Sequence, residues 1–141
     1  MTREQALVLL SYHSARNLDC KNPKWENGFV ASLRKFNGSV IEKDFIEVME
    51  CLRVLAKEFE SEKIDRNLMA DIYEILYSTT SWLGEGGLLS DINSEMKKKL
   101  ECWMKIYSYA VALLLDYTKP DCYEKAFDEY NDYLKGISNY E

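Results

Sequence analysis

Residues Ile41, Phe45, Val48, Leu52, Leu55 and Phe59 recur at steps of four, three, four, three and four. An α-helix brings such positions onto one face, because its turn returns a side chain to the same side every third or fourth residue. A strand would need strict alternation, which occurs almost nowhere in this chain. The stripe therefore predicts a helix with one side buried, and that side has to be covered by other elements. The charges agree with the direction of the helix. Glu42, Asp44, Glu47 and Glu50 fill its first half and Arg53 and Lys57 follow, as the helix dipole favours. Ser39 is the expected cap.

The same spacing recurs along the chain. A first helix is expected over residues 3–16, capped by Thr2, with Ala6, Leu9, Leu10 and His13 on one face. Asn22-Pro23 disfavours helix, so residues 18–24 read as a loop. A second, short helix is expected over residues 25–36, with Trp25, Phe29, Leu33 and Phe36 aligned and Asn37-Gly38 as its stop. The striped helix is third. Asp65 caps a fourth helix to about Leu83, turning Leu68, Ile72, Ile75, Leu76, Thr79 and Leu83 inward, and Gly84-Glu85-Gly86-Gly87 ends it. A fifth and longest helix is expected from Ser90-Asp91 to about Tyr117. Its wide apolar arc (Met96, Leu100, Trp103, Ile106, Tyr107, Ala110, Val111, Leu114) fits a central position. Thr118, with Pro120 in the first turn, opens a sixth helix that ends near Lys135, before Gly136.

The expected fold is all-α: a single domain over residues 1–141, with about six mostly antiparallel helices in a bundle or short solenoid-like array. The composition suits it, at 47% hydrophobic and 30% charged with only 6 Gly and 2 Pro, which excludes a disordered or low-complexity chain. No stretch approaches the roughly 20 uncharged apolar residues of a membrane span. The opening Met-Thr-Arg-Glu lacks the basic-then-apolar order of a secretion signal, so a cytoplasmic location is expected. Cys20, Cys51, Cys102 and Cys122 form no Cys-x-x-Cys pair and are expected to be reduced core or boundary residues.

Two stretches carry a family likeness. Ser32-Leu33-Arg34-Lys35-Phe36 followed by Phe45-Ile46-Glu47-Val48-Met49-Glu50-Cys51-Leu52-Arg53-Val54-Leu55-Ala56, and later Tyr109-Ala110-Val111-Ala112-Leu113-Leu114-Leu115-Asp116, resemble a group of small all-helical bacterial proteins with no assigned activity. The likeness covers roughly residues 25–116. It implies a bacterial source and a helical fold, and it carries over no functional residues.

Candidate chemistry is sparse. His13 is the only histidine, and its place beside Ala6, Leu9 and Leu10 fits a packed side chain. A Cys–His nucleophile would need it beside one of the four cysteines. Ser11 and Ser14 flank it in sequence but point to other sides of a helix. Glu47 and Glu50 lie three apart, yet one histidine cannot supply the two Glu-x-x-His pairs of a helical di-iron site. Gly84-Glu85-Gly86-Gly87 follows no strand and precedes no Lys-Ser or Lys-Thr, so a connector is expected there rather than a phosphate loop. No catalytic residues, metal ion or cofactor are expected. With net charge −6, nucleic acid is not an expected partner either, and Lys97-Lys98-Lys99 reads as a solvated helix face.

What remains is a surface. From Asp116 to Glu141 there are seven acids against three lysines, which is four of the chain's six net negative charges. On a helix, Tyr123, Phe127, Tyr130 and Leu134 would form an inward stripe, and Asp121, Glu124, Asp128 and Asp132 an anionic strip with Tyr133 at its margin. The chain is thus expected to act as a small acidic protein-binding module. The type expected is a bacterial immunity or inhibitor protein that neutralises a basic toxin or another cationic partner. Asp121, Glu124, Asp128, Asp132 and Tyr133 would form the contact. The alternatives are a small-ligand binder or enzyme with an inter-helix pocket near His13 or near Trp25, Trp82 and Trp103, and a structural subunit that forms a homodimer.

Overall fold

The computed structural model describes residues 1–36, 41–116 and 121–137. Among these residues the chain is all-helical and packs as a single compact domain. Its helices are α1 (Arg3–His13), α2 (Lys24–Asn27), α3 (Phe29–Arg34), α4 (Glu42–Leu55), α5 (Arg66–Leu83), α6 (Ser94–Leu115), α7 (Cys122–Lys125) and α8 (Asp128–Leu134). A 3-10 turn, Ala56–Glu60, continues α4.

Neighbouring helices run antiparallel. The start of α1 meets the end of α4, where the Arg3 guanidinium donates to Glu58 at 2.7 Å, while the end of α1 meets the middle of α4 through His13 and Glu47. Leu83 at the end of α5 lines a groove with Met104 of α6, and further along Tyr107 donates to the Ile72 carbonyl at 2.7 Å. The helix α8 returns along α6, bringing Tyr133 to Trp103. The central position expected for α6 holds: α5, the 3-10 turn, α7 and α8 all pack on it, and seven of the eight arc residues are buried.

The stripe of α4 builds the core. Phe45, Val48, Leu52, Leu55 and Phe59 are all buried, and only Ile41 at its start is exposed. Phe45 stacks flat on Trp103 at 5.0 Å, and both Tyr130 and Tyr133 stand edge-on to it. Such pairs add about 0.5–1.5 kcal/mol each beyond the area they bury. Thr2 forms the full capping box of α1 with Gln5, and Asp65 caps α5 by accepting from the Asn67 and Leu68 amides. The expected Ser39 cap lies outside the described residues.

The first helix ends at His13 rather than at residue 16, and three further boundaries differ from expectation. The second helix is broken at Gly28 into α2 and α3, leaving Trp25 exposed while Phe29 and Leu33 are buried. The cause is a close approach: a Cβ on Gly28 would lie 2.4 Å from the Tyr12 carbonyl oxygen. The chain bends there and turns the Phe29 amide onto His13. The fifth helix begins at Ser94, not at Ser90-Asp91. The Ser90 hydroxyl bonds the Gly87 carbonyl, and Asn93 takes the cap instead, accepting from the Glu95 and Met96 amides. The sixth helix, described from Asp121 onward, is interrupted at Ala126-Phe127, so its inward side is Cys122, Ala126, Phe127 and Tyr130, and Leu134 is exposed. Thr118 and Pro120 lie outside the described residues.

Gly28→Ala is expected to lower stability by about 1–3 kcal/mol, since the added methyl meets backbone that cannot rotate away. Urea unfolding checks this, and an unchanged midpoint would mean that α1 and the α2–α3 bend do not touch as described.

Candidate functional site

The polar interior centres on His13, whose side chain is 0% exposed. Its Nδ1 accepts the Phe29 amide proton at 3.0 Å, and its Nε2 lies 2.8 Å from Glu47 Oε1. Nδ1 therefore carries no proton, and the neutral ring donates from Nε2. Both nitrogens are occupied by protein, and no lone pair faces outward to take a proton from a substrate. Ser14 is turned to the buried Asp71, with its Oγ 2.8 Å from Oδ1, and Arg16 reaches the same oxygen at 2.9 Å. Burial pushes the Cys51 thiol up to about 12, so it stays protonated. His13 and Ser14 are thus engaged in holding α1, α3, α4 and α5 together.

Around His13 sit two carboxylates and a lysine. Lys24 Nζ bridges them, 2.8 Å from Glu47 and 3.9 Å from Asp44. The bonds from His13 and Lys24 outweigh desolvation and hold the Glu47 carboxyl down at about 2. Asp44 is deeper, one of its oxygens has no hydrogen-bond partner, and burial pushes its carboxyl above the ordinary range. Glu50 turns the other way, to Arg53. Among the described residues, no group of three His, Cys, Asp or Glu side chains could hold a metal ion.

Of the expected strip, Asp121 precedes α7, Glu124 lies on α7, and Asp128 and Asp132 lie on α8. Glu124 and Asp128 are exposed, Asp121 is half-buried and pairs with Lys125 at 2.8 Å, and Asp132 is half-buried. Lys125 thus stands within the strip. Tyr133 is half-buried: it accepts from the Trp103 indole N–H at 3.0 Å and donates to Glu42. Burial, and after it Glu42, pushes its hydroxyl up to about 12. From the α4 side, the Arg53 guanidinium lies over the rings of Phe127 and Tyr130 and donates to Asn131 at 2.7 Å. The acids are therefore displayed on a helix pair whose other side is fixed.

Among the described residues, two of the surface hollows lie away from the histidine. One, of about 340 Å³, runs between α5 and α6 over Leu76, Leu83 and Met104, with Thr80 on one wall and Glu101 and Ser108 on the other. The other, of about 610 Å³, lies along α1 between Met1 and Leu9. Neither is lined by His13 or by a tryptophan; His13 and Trp103 are fully buried, Trp82 is half-buried and Trp25 is exposed. Beside the first groove, Tyr73 and Tyr77 stack on each other at 5.9 Å while remaining 63% and 55% exposed. Sequence alone leaves open whether Tyr73 and Tyr77 lie inside or outside, and it gives no sign of the groove. The available signal was the four-residue step from Tyr73 to Tyr77, which falls off the inward stripe of α5. Gly84-Glu85-Gly86-Gly87 is a connector: a Cβ on Gly87 would stand 2.4 Å from the Trp82 carbonyl, whose oxygen accepts the Leu89 amide.

The two carboxylates near His13 respond to pH with opposite signs. Folding lowers Glu47 from 4.5 to about 2, so its contribution is complete above pH 4.5 and is lost as pH falls toward about 2. Asp44 is raised from 3.8, so its contribution is complete below that value and is lost as pH rises through the folded value. In acid titrations followed by circular dichroism, Glu47→Gln should remove the loss of stability between pH 4.5 and about 2. Asp44→Asn should be at least as stable as the parent at neutral pH. A Glu47→Gln curve parallel to the parent's would show that His13 and Lys24 do not hold the carboxylate.

No helix of the described residues is long and apolar enough to cross a membrane. The likeness noted over residues 25–116 rests on the quoted stretches alone: no family model, no curated protein and no solved structure matches this chain.

Proposed function

We propose that this protein is an acidic binding module of the inhibitor type, which docks a basic protein partner through the outer side of α7 and α8. The observation that carries this reading is the outward exposure of Glu124 and Asp128 on a helix pair that Arg53, Trp103 and Glu42 hold from the other side. A pre-set row of carboxylates meets a cationic partner without first being ordered, so less of the interaction energy is lost on binding. Charge complementarity of this kind raises the association rate and rejects acidic competitors. Covering a partner's cationic surface also blocks whatever anionic substrate that surface handles, which is how such a module would neutralise a toxin. Tyr133 acts behind the strip as a support for α8 rather than as a contact.

The double reversal Glu124→Lys/Asp128→Lys tests this reading, because both residues are exposed and the fold should tolerate the change. The parent and the variant are immobilised and challenged with one native lysate at low salt. The parent should retain a basic protein in stoichiometric amount and release it at high salt, and the variant should lose at least about tenfold of that retention. Equal retention by both would remove the strip from consideration.

A further inference from the structure

The groove between α5 and α6 and the acidic strip lie on the two sides of one exposed ridge. That ridge is the outer side of α6, formed by Glu101, Lys105 and Ser108, all three of which line the groove. On its other side α6 packs against α7 and α8, which carry the strip, and its Trp103 donates to Tyr133 at 3.0 Å. The groove and the helices that carry the strip therefore flank α6.

The groove has its own chemical character. Its floor of Leu76, Leu83 and Met104 is apolar and suits an apolar side chain. One end is Gly84, at the C-terminus of the 18-residue helix α5, where the dipole is negative and no basic residue stands in the last turn. Glu101 on the opposite wall and the exposed Glu85 add carboxylates at that end, and Lys105 follows one turn later on the same wall. Along the α5 side run Tyr73 and Tyr77, one helical turn before Leu76 and Thr80, with aromatic faces that a guanidinium can cover. Apolar floor, anionic end and tyrosine pair together fit an amphipathic helix bearing arginines.

We propose that this face binds a cationic amphipathic helix of the partner, which sets an apolar side chain into the α5–α6 groove and lays its arginines over Tyr73 and Tyr77 and across the ridge to the acidic strip. The proposal rests on the reading that the strip docks a basic protein, and it adds the groove as the apolar anchor that charge alone would lack.

The test uses the full chain and two synthetic probes: a peptide with leucine on one helical face and arginine on the other, and an oligoarginine of equal charge. The leucine–arginine peptide should bind at least about tenfold more tightly. Groove-filling variants from opposite walls, Thr80→Trp and Ser108→Phe, should each abolish that margin and leave oligoarginine binding unchanged. Glu124→Lys/Asp128→Lys should weaken both peptides. If the two peptides bind equally, or the filled grooves keep the margin, the groove proposal is overturned while the strip stands. If the reversed strip has no effect on either peptide, or neither peptide binds, the strip reading falls, and this proposal with it. Light scattering covers the remaining occupant: a parent dimer made monomeric by Thr80→Trp would assign the groove to a second copy of the chain and overturn the proposal.

Discussion

A single imidazole, closed off from water, links three helices of this protein. His13 ends α1, accepts the first amide of α3 and donates to Glu47 in the middle of α4. That amide on the ring, together with the close approach of Gly28 to the Tyr12 carbonyl, accompanies the bend that splits one expected helix into two and sets Phe29 against Trp103. Removing the ring would leave the Phe29 amide without an acceptor and open a cavity, each of which costs on the order of 1–3 kcal/mol. Lys24, on the short helix α2, closes the arrangement by pairing with the same carboxylate as the histidine.

This arrangement divides the molecule by chemistry. Inside, polar groups of α1 and the turn after it pair with other helices: His13 with Glu47, and Ser14 and Arg16 with Asp71. Each pair joins elements distant in sequence. Outside, carboxylates on α7 and α8 and tyrosines on α5 face solvent from helices held firmly at their backs. The aromatic cluster joins the two regions, since Phe45 packs on Trp103 and on Tyr133, and Tyr133 is the residue that seats α8. Recognition by a preformed surface follows more naturally from this layout than chemistry at a buried histidine with no lone pair to offer.

Periodicity made the long elements legible. The stripe from Phe45 to Phe59, the Asp65 and Thr2 caps and the central place of α6 could be read from spacing, because each rests on neighbours within a few residues. The break at Gly28 could not, since it depends on a carbonyl and an imidazole from another helix, the latter 16 residues from the amide it accepts. Tyr133 looked like a surface residue for the same reason: its two partners, Trp103 and Glu42, lie 30 and 91 residues away. The acidity of the C-terminal helix was plain in its composition, whereas the groove beside it exists only where the faces of α5 and α6 meet.

The most direct measurement is a long-range 1H–15N spectrum of the histidine ring, recorded near neutral pH with and without a bound arginine-rich peptide. A ring protonated at Nε2 only, with a coupling across the hydrogen bond from the Phe29 amide to Nδ1 and no change when peptide binds, is the result this account predicts. A proton on Nδ1, a missing coupling, or a ring that responds to the peptide would contradict it, and would return His13 from the framework of the fold to the working surface.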